Sequence, residues 1–532
     1  MRPVINWSEP KMLDLTNDFI PKPPPPKQKF APSANQQAIF NFIEDPKAGS
    51  AIVEAVAGSG KTTTIVEALD KIPAHFRTVF LAFNKSIAQE LKNRVPSCVD
   101  VKTLNGIGHQ TWCGYQKNVT IDASKTRKIL WSQEIRDKFG KIILKDVGAN
   151  VYKLVGIAKS HGLVPKEFTD LDGLTPDTPE NWDRLIEHFD LQFENDHDKD
   201  NAVEVARFVL CAGILDKSTI DFDDQLYMSV IYKANVPKYD FVFVDEAQDV
   251  SDIQRALLAM ALRPGGRLIA VGDPHQAIYG FRGADSQALN NIAKTFNATR
   301  LPLSISYRCA KAIVKEAQRF VSHIKANPSS PEGKVERIGE YIKKLNMFKC
   351  GDMVVCRCTA PLIKLAYALI AAKKPVLIAG RDIGKQIVAL IMSFDKHTVD
   401  EIRIAIINWH AKKKNKMLAK DPEHDLSRID DTLEAIETFI ECSDAHSIDQ
   451  LITSIELLFN GSAKDSTLLS TIHRSKGLEA DRVFILDAHL MPIRYAKKPW
   501  QKEQEINLQY VAVTRAKSEL YYIDSPEGDN VF

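Results

Sequence analysis

The 532-residue sequence contains no stretch approaching the ~20 consecutive apolar residues a helix needs to cross a bilayer, which argues against a helical membrane protein and against any membrane partner. Its first residues, MRPVINWSEPKML, lack the apolar core of a secretory signal. A cytoplasmic protein is expected. Cysteine is sparse. Eight thiols, at 98, 113, 211, 309, 350, 356, 358 and 442, are scattered without the dense spacing of a secreted disulfide framework, which fits a reducing compartment. The cluster Cys350, Cys356 and Cys358 in CGDMVVCRC does not follow zinc-ligand spacings and reads as core thiols at a strand entry. Charge of one sign is not in excess either. With 70 basic against 68 acidic residues the net charge is +2, so a polyanion would have to be met by a local groove.

What is present is an ordinary globular composition, 44% hydrophobic and 26% charged, with length for roughly three or four domain-sized units. Residues 1–30 end in PKPPPPKQKF, a stiff polyproline leader that reads as a spacer or as a docking segment for a protein partner. From residue 51 onward the runs AIVEAV, RTVFLAF, YDFVFVDE and GGRLIAVGD are short, β-branched and bounded by turn residues, with helical patterns between some of them. That alternation predicts a parallel sheet covered by helices. A second set, GDMVVCRC, KPVLIAG, STLLSTIH, DRVFILD and SELYYID, predicts another. Two long amphipathic stretches, 112–217 and 386–462, interrupt these cores as helical insertions. The run HAKKKNK in the second insertion stands as a solvated helix face or as a duplex-contacting patch.

One short segment carries the chemistry. VEAVAGSGKTTT places a strand, a loop of small residues and a helix start in direct succession, the context that makes a phosphate loop. Gly58 and Gly60 let backbone N–H groups converge on phosphate oxygens across Ala57–Thr63, the helix start at Lys61 adds partial positive charge, and Lys61 reaches the β and γ phosphates. Thr62 is the expected magnesium ligand beside Thr63, and Ala55 stands where the usual pattern has its first glycine. The acidic partner is in YDFVFVDEAQD: Asp245 is expected to hold Mg2+ and Glu246 to polarise the attacking water of ATP hydrolysis.

Together with GDPHQAIYGFRGAD, SYR (306–308), STIHRSKGLE and QYVAVTRAK, in this order, these segments resemble the UvrD/Rep family of superfamily 1A DNA helicases over about residues 31–525. FLAFNKSIAQEL and EINLQYVAVTRAK are most similar to the F-box DNA helicase branch and its viral and bacterial relatives, although no F-box-like segment is visible. The resemblance implies an α/β fold of two RecA-like parallel-sheet cores: 31–111 with 218–300, and 301–385 with 463–532. It implies adenine reading by Gln36, a base-stacking Tyr307, a γ-phosphate sensor Gln276, Arg308 and Arg515 reaching the γ phosphate from the second core, and Glu479 near the ribose. For single-stranded DNA and its junctions with duplex it implies contacts from Asn84, Lys85, Thr103, Tyr279, Phe281, Thr471 and His473. Asn105 replaces a histidine usual two residues after the Thr103 position. The activity implied is ATP-driven 3′-to-5′ translocation and unwinding. Its rivals are a translocase that mainly strips bound proteins and, less compatible with the intact hydrolytic residues, a non-hydrolysing clamp.

Overall fold

Strands form where the sequence runs β-branched and apolar. Ala51–Ala55, Thr78–Ala82 and Tyr239–Val244 are buried along nearly their whole length, as central strands covered on both faces must be. In the computed structural model, which describes residues 31–168, 174–189, 191, 193, 195–278, 287–418, 426–443, 445–459, 466–493, 496 and 498–526, they belong to a six-stranded parallel sheet. Its order is Thr299–Leu303, Ala51–Ala55, Leu262–Gly272, Tyr239–Val244, Thr78–Ala82, Val99–Thr103. Successive side chains leave opposite faces. Ile52, Val79 and Leu81 thus enter a core shared with the first helical insertion, whereas Val53 and Phe80 pack under the helices Ala34–Glu44 and Lys61–Leu69.

The first insertion is built on two 20-residue helices, Lys141–Ser160 and Asp196–Leu215. It is pinned to the helix Asp224–Ile231 and the turn before it by buried ion pairs: Lys125 Nζ lies 2.8 Å from Asp224, and Lys159 Nζ 2.7 Å from Asp221 and 2.8 Å from Asp224. A second six-stranded parallel sheet runs Lys334–Glu340, Ala516–Asp524, Ala480–Leu486, Met353–Cys356, Thr467–Thr471, Val376–Ile378. The helices Val399–Leu418, Ser427–Cys442 and Ile448–Phe459 of the second insertion share one core with this sheet, in which Ile402, Phe439 and Leu451 pack with Val354 and Leu486.

The expected α/β architecture of two parallel-sheet cores is the one observed, and three of the expected limits fall inside a secondary-structure element. The edge strand Thr299–Leu303 crosses the expected limit at residue 300, because its pairing with Ala51–Ala55 places it in the first sheet. The helix Leu104–Tyr115 crosses the limit at 111, and Arg381–Ser393 the limit at 385, since each buries its apolar face without a break there. The proline-rich leader 1–30 lies outside the described residues. Among the described residues no helix is long and apolar enough to cross a membrane.

Candidate nucleotide and nucleic-acid site

In a parallel sheet all strands end on one edge, the usual place for ligands in open α/β folds. Ala55, Val244 and Gly272 therefore deliver the loop 56–60, the acid pair 245–246 and Asp273 side by side. Gly58 and Gly60 have φ of 69° and 77°, a left-handed conformation that glycine adopts without steric cost. Gly58 also has no room for a side chain: a Cβ would come within 2.4 Å of Arg308 Cβ and 2.8 Å of Ser306 Oγ. Ser59 is fully buried, and its hydroxyl has no hydrogen-bond partner.

Lys61 Nζ lies 3.5 Å from Glu246. Burial opposes the lysine charge, but Glu246, Asp273 and Asp245 outweigh it and raise its pKa. The two acids part company. Burial, then the charge of Glu246, pushes Asp245 up to about 6, and its carboxylate accepts a hydrogen bond from Thr62. Burial also opposes ionisation of Glu246, but Lys61 and Lys476 dominate and hold its carboxyl low. Glu246 has φ 52°, a left-handed backbone rare for a residue with a side chain and of the kind that gathers at functional sites. Gln276 donates to the buried Asp273 at 2.7 Å, and burial raises the pKa of that carboxyl.

The second sheet supplies the opposite wall. Arg308 Nε sits 2.6 Å from Glu479, which also pairs with Lys517 at 2.8 Å. Arg515 is completely buried and donates to the carbonyls of Val511 and Leu478, both at 3.0 Å; burial, then Arg308, lowers its pKa to about 10. Tyr307 donates its backbone N–H to Gly58 O at 2.8 Å and is 41% exposed, so it is not a core residue. Gln36 reaches the loop, but its carboxamide is engaged: Nε2 donates to Thr64 at 2.9 Å, and Oε1 accepts from Ser33 N at 2.9 Å as part of a helix cap.

Three contacts that the sequence reading did not anticipate join the two halves. Tyr510 Oη accepts from Ala57 N at 2.8 Å and lies 3.4 Å from Asp273 Oδ2. Asn507 Nδ2 donates to Ala277 O at 3.1 Å. Lys476 Nζ pairs with the buried Asp249 at 2.6 Å and donates to Gln276 O at 2.8 Å.

Of the residues implied for DNA, Asn84 and Thr103 are helix N-caps, accepting from Ile87 N at 2.9 Å and Gly106 N at 3.0 Å. Their acceptor oxygens serve the cap, and their N–H or O–H hydrogens remain donors. Lys85 is exposed beside Asn84. Asn105 does not stand open as a strand contact; it donates to Phe222 O at 3.1 Å. Thr471 ends a strand of the second sheet, with His473 half-buried two residues on. Tyr279 and Phe281 lie outside the described residues. Two exposed rings were missed, Phe83 at 52% and Phe222 at 58% exposure, flanking Asn84 and the Asn105 contact. The available signal was an aromatic residue in the turn directly after a buried run, in FLAFNK and TIDFDD.

The chain matches the family model of the UvrD/REP helicase N-terminal domain over residues 34–297 and that of the UvrD-like helicase C-terminal domain over 379–526. It is 25% identical to F-box DNA helicase 1 of Gallus gallus over 521 residues, covering 89% of this chain and 47% of that protein, so it spans about half the length of this relative. It is 23% identical to a probable DNA helicase II homolog of Mycoplasma genitalium, covering 89% of this chain and 82% of that protein. With ATP-dependent DNA helicase PcrA of Bacillus subtilis it shares 25% identity over 52% of this chain and 38% of that protein. Two models matching successive halves of one helicase architecture, laid over two parallel sheets that meet at a phosphate loop, show that the chain belongs to the UvrD-like helicase family.

Proposed function

We propose that the protein is an ATP-driven helicase and translocase on single-stranded DNA, moving 3′ to 5′. One observation carries the reading: the phosphate loop is hydrogen-bonded to the second half of the chain, Gly58 O accepting from the N–H of Tyr307 beside Arg308 and Ala57 N–H donating to Tyr510 Oη, so the two cores meet at this loop. In this reading Ala57–Thr63 cradle the phosphates, with the unpartnered Ser59 hydroxyl inside that loop, and Gln36, Tyr307 and Glu479 surround the adenosine. Thr62 and Asp245, already hydrogen-bonded to each other, form an oxygen-only donor set suited to magnesium, which when bound neutralises phosphate charge. Lys61 leaves Glu246 for the β and γ phosphates, and the freed carboxylate orients the attacking water. Arg308 and Arg515 stabilise charge on the γ phosphate only while the cleft is closed, so hydrolysis changes how firmly the two cores hold each other. Gln276 and Lys476 link that change to the strand-binding edge.

Along that edge Asn84, Lys85, Thr103, Thr471 and His473, with the exposed Phe83 and Phe222, provide donors and stacking faces for a strand read without sequence preference. Tyr279 and Phe281 are assigned to the same strand from the sequence. A second reading, a translocase that mainly strips bound proteins, is favoured by the second insertion, which shares its core with the sheet and offers little independent leverage on a duplex. Strand displacement on 3′-tailed, 5′-tailed and blunt duplexes tests both. Displacement of the 3′-tailed substrate alone is expected. Preference for a 5′ tail overturns the polarity, and single-strand-stimulated ATPase without displacement favours stripping.

A further inference from the structure

A cleft of about 1010 Å3 opens between the two helical insertions and shares no lining residue with the phosphate loop. Its walls include four aromatic rings: Tyr152 and Phe189 from the first insertion, Trp409 from the second, and Trp500 at the start of the helix Pro499–Val513. Tyr152 is 42% exposed. Trp500 stacks on His188 with ring centroids 5.5 Å apart, and its indole N–H is buried without a hydrogen-bond partner. Cations stand beside the rings: Lys413 Nζ lies 4.4 Å from the Trp409 centroid and the Arg127 guanidinium 5.6 Å from that of Tyr152. Lys153 also lines the cleft.

Carboxylates line it too. Asp431 is tied to the Thr359 backbone N–H at 2.6 Å, and Asp221 to Lys159. Asp223 stays in contact with solvent through the cleft, and desolvation by the walls, then the charge of Asp221, raises its carboxyl to about 6.

These features together select the occupant. A carboxylate-rich peptide offers no flat face to the four rings, and a purely apolar ligand would leave the buried Trp500 N–H without an acceptor. A nucleotide has an anionic phosphate for lysine, a flat face for an aromatic ring, and, on cytosine, adenine or guanine, an amino group for a carboxylate. The cleft also continues the strand-binding edge. Asp223 follows the exposed Phe222, and Thr359 begins a helix just past the end of the strand Met353–Cys356 in the second sheet.

We propose that this cleft captures an unstacked nucleobase of the bound strand, with the base against Trp409 and Trp500, the flanking phosphates on Lys153 and Lys413, and an exocyclic amino group on Asp223. The inference rests on the single-strand-binding reading above. Thymine, which sets two carbonyls around its one N–H, is the poorest fit to a carboxylate, so the cleft gives the strand a modest base preference at one position.

The test is an abasic scan with the full chain. A fluorescent 16-nucleotide oligo-dC carries a single abasic site at each position in turn, and affinity is read by anisotropy. One position distinct from its neighbours should lose roughly 5- to 150-fold in affinity, the range for a stacked base. Trp409→Ala and Trp500→Ala, tested separately, should each flatten that position, Trp409→Phe should keep it, and Asp223→Asn should erase any cytosine-over-thymine preference there. A flat scan in wild type that binds the intact strand tightly overturns the cleft and leaves the strand-binding reading standing. The same holds if the sensitive position persists in whichever of the two tryptophan variants folds. A wild type that does not bind the strand overturns both.

Discussion

Replacing Lys476 by alanine should destabilise the protein in a strongly pH-dependent way. Lys476 and Asp249 come from different sheets, pair at 2.6 Å, and retain only 8% and 4% side-chain exposure. Breaking a buried pair by removing one partner costs about 3–5 kcal/mol when the orphaned charge stays charged. Asp249 has an escape, however, because burial already raises its carboxyl to about 6 even with Lys476 beside it. Without Lys476 the folded-state pKa rises further, and the group takes up a proton instead of remaining an unpaired anion.

The sign follows from linkage. A carboxyl whose pKa is raised in the folded state favours folding less as pH rises, so the variant and wild type diverge only above the wild-type value of about 6. The gap then widens by at most about 1.4 kcal/mol per pH unit, which limits this contribution to about 1.4 kcal/mol at pH 7 and about 2.7 kcal/mol at pH 8. Loss of the Lys476 bond to Gln276 O adds a pH-independent part of about 1–3 kcal/mol. Urea unfolding of wild type, Lys476→Ala and Lys476→Ala/Asp249→Asn from pH 5 to 8 measures both parts. The single variant should fall away from wild type above pH 6, and the double variant, which has no Asp249 carboxyl to ionise, should run parallel to wild type above that pH. A gap in the single variant that is constant across this range would refute the assignment of the cost to Asp249.

Three further outcomes are expected. Lys61→Ala and Glu246→Gln should both abolish ATP turnover, but Glu246→Gln should keep magnesium-ATP binding because Asp245 and Thr62 remain; equal loss of affinity in an equilibrium binding measurement would contradict the assigned roles. Arg515→Ala should reduce DNA-stimulated hydrolysis by about a hundredfold or more with nucleotide affinity largely retained, within the range for a transition-state arginine, whereas unchanged stimulated turnover would make its bonds to Val511 and Leu478 purely structural. Tyr510→Phe leaves the buried Ala57 N–H without its partner, at a cost of about 1–3 kcal/mol, so unfolding in urea should come at lower concentration, and an unchanged midpoint would show that the loop finds another acceptor.

The sequence showed the two-sheet architecture because β-branched runs ending in turn residues are a local signal, and both sheets contain the runs it singled out. Domain limits were less legible. Thr299–Leu303 has a proline as its fourth residue and exposed residues at its start, so nothing in its composition announces an edge strand of the first sheet. Phe83 and Phe222 were passed over because one aromatic side chain looks the same in a string whether it ends in a core or in solvent. Asn84 and Thr103 carry a second, structural use as helix caps that the resemblance did not reveal.

By itself the sequence determined what is contiguous: a strand, a glycine loop and a lysine at a helix start, and a strand ending in Asp245 and Glu246. Such chemistry needs neighbouring residues on one chain segment, so its pattern survives in the string. Only the tertiary structure decided what meets across the cleft. Tyr510 finds the Ala57 N–H across 453 positions and Lys476 finds Asp249 across 227. Contacts of that separation follow no helical or strand period, and they exist because two sheets close on each other and most buried donors and charges between them are paired.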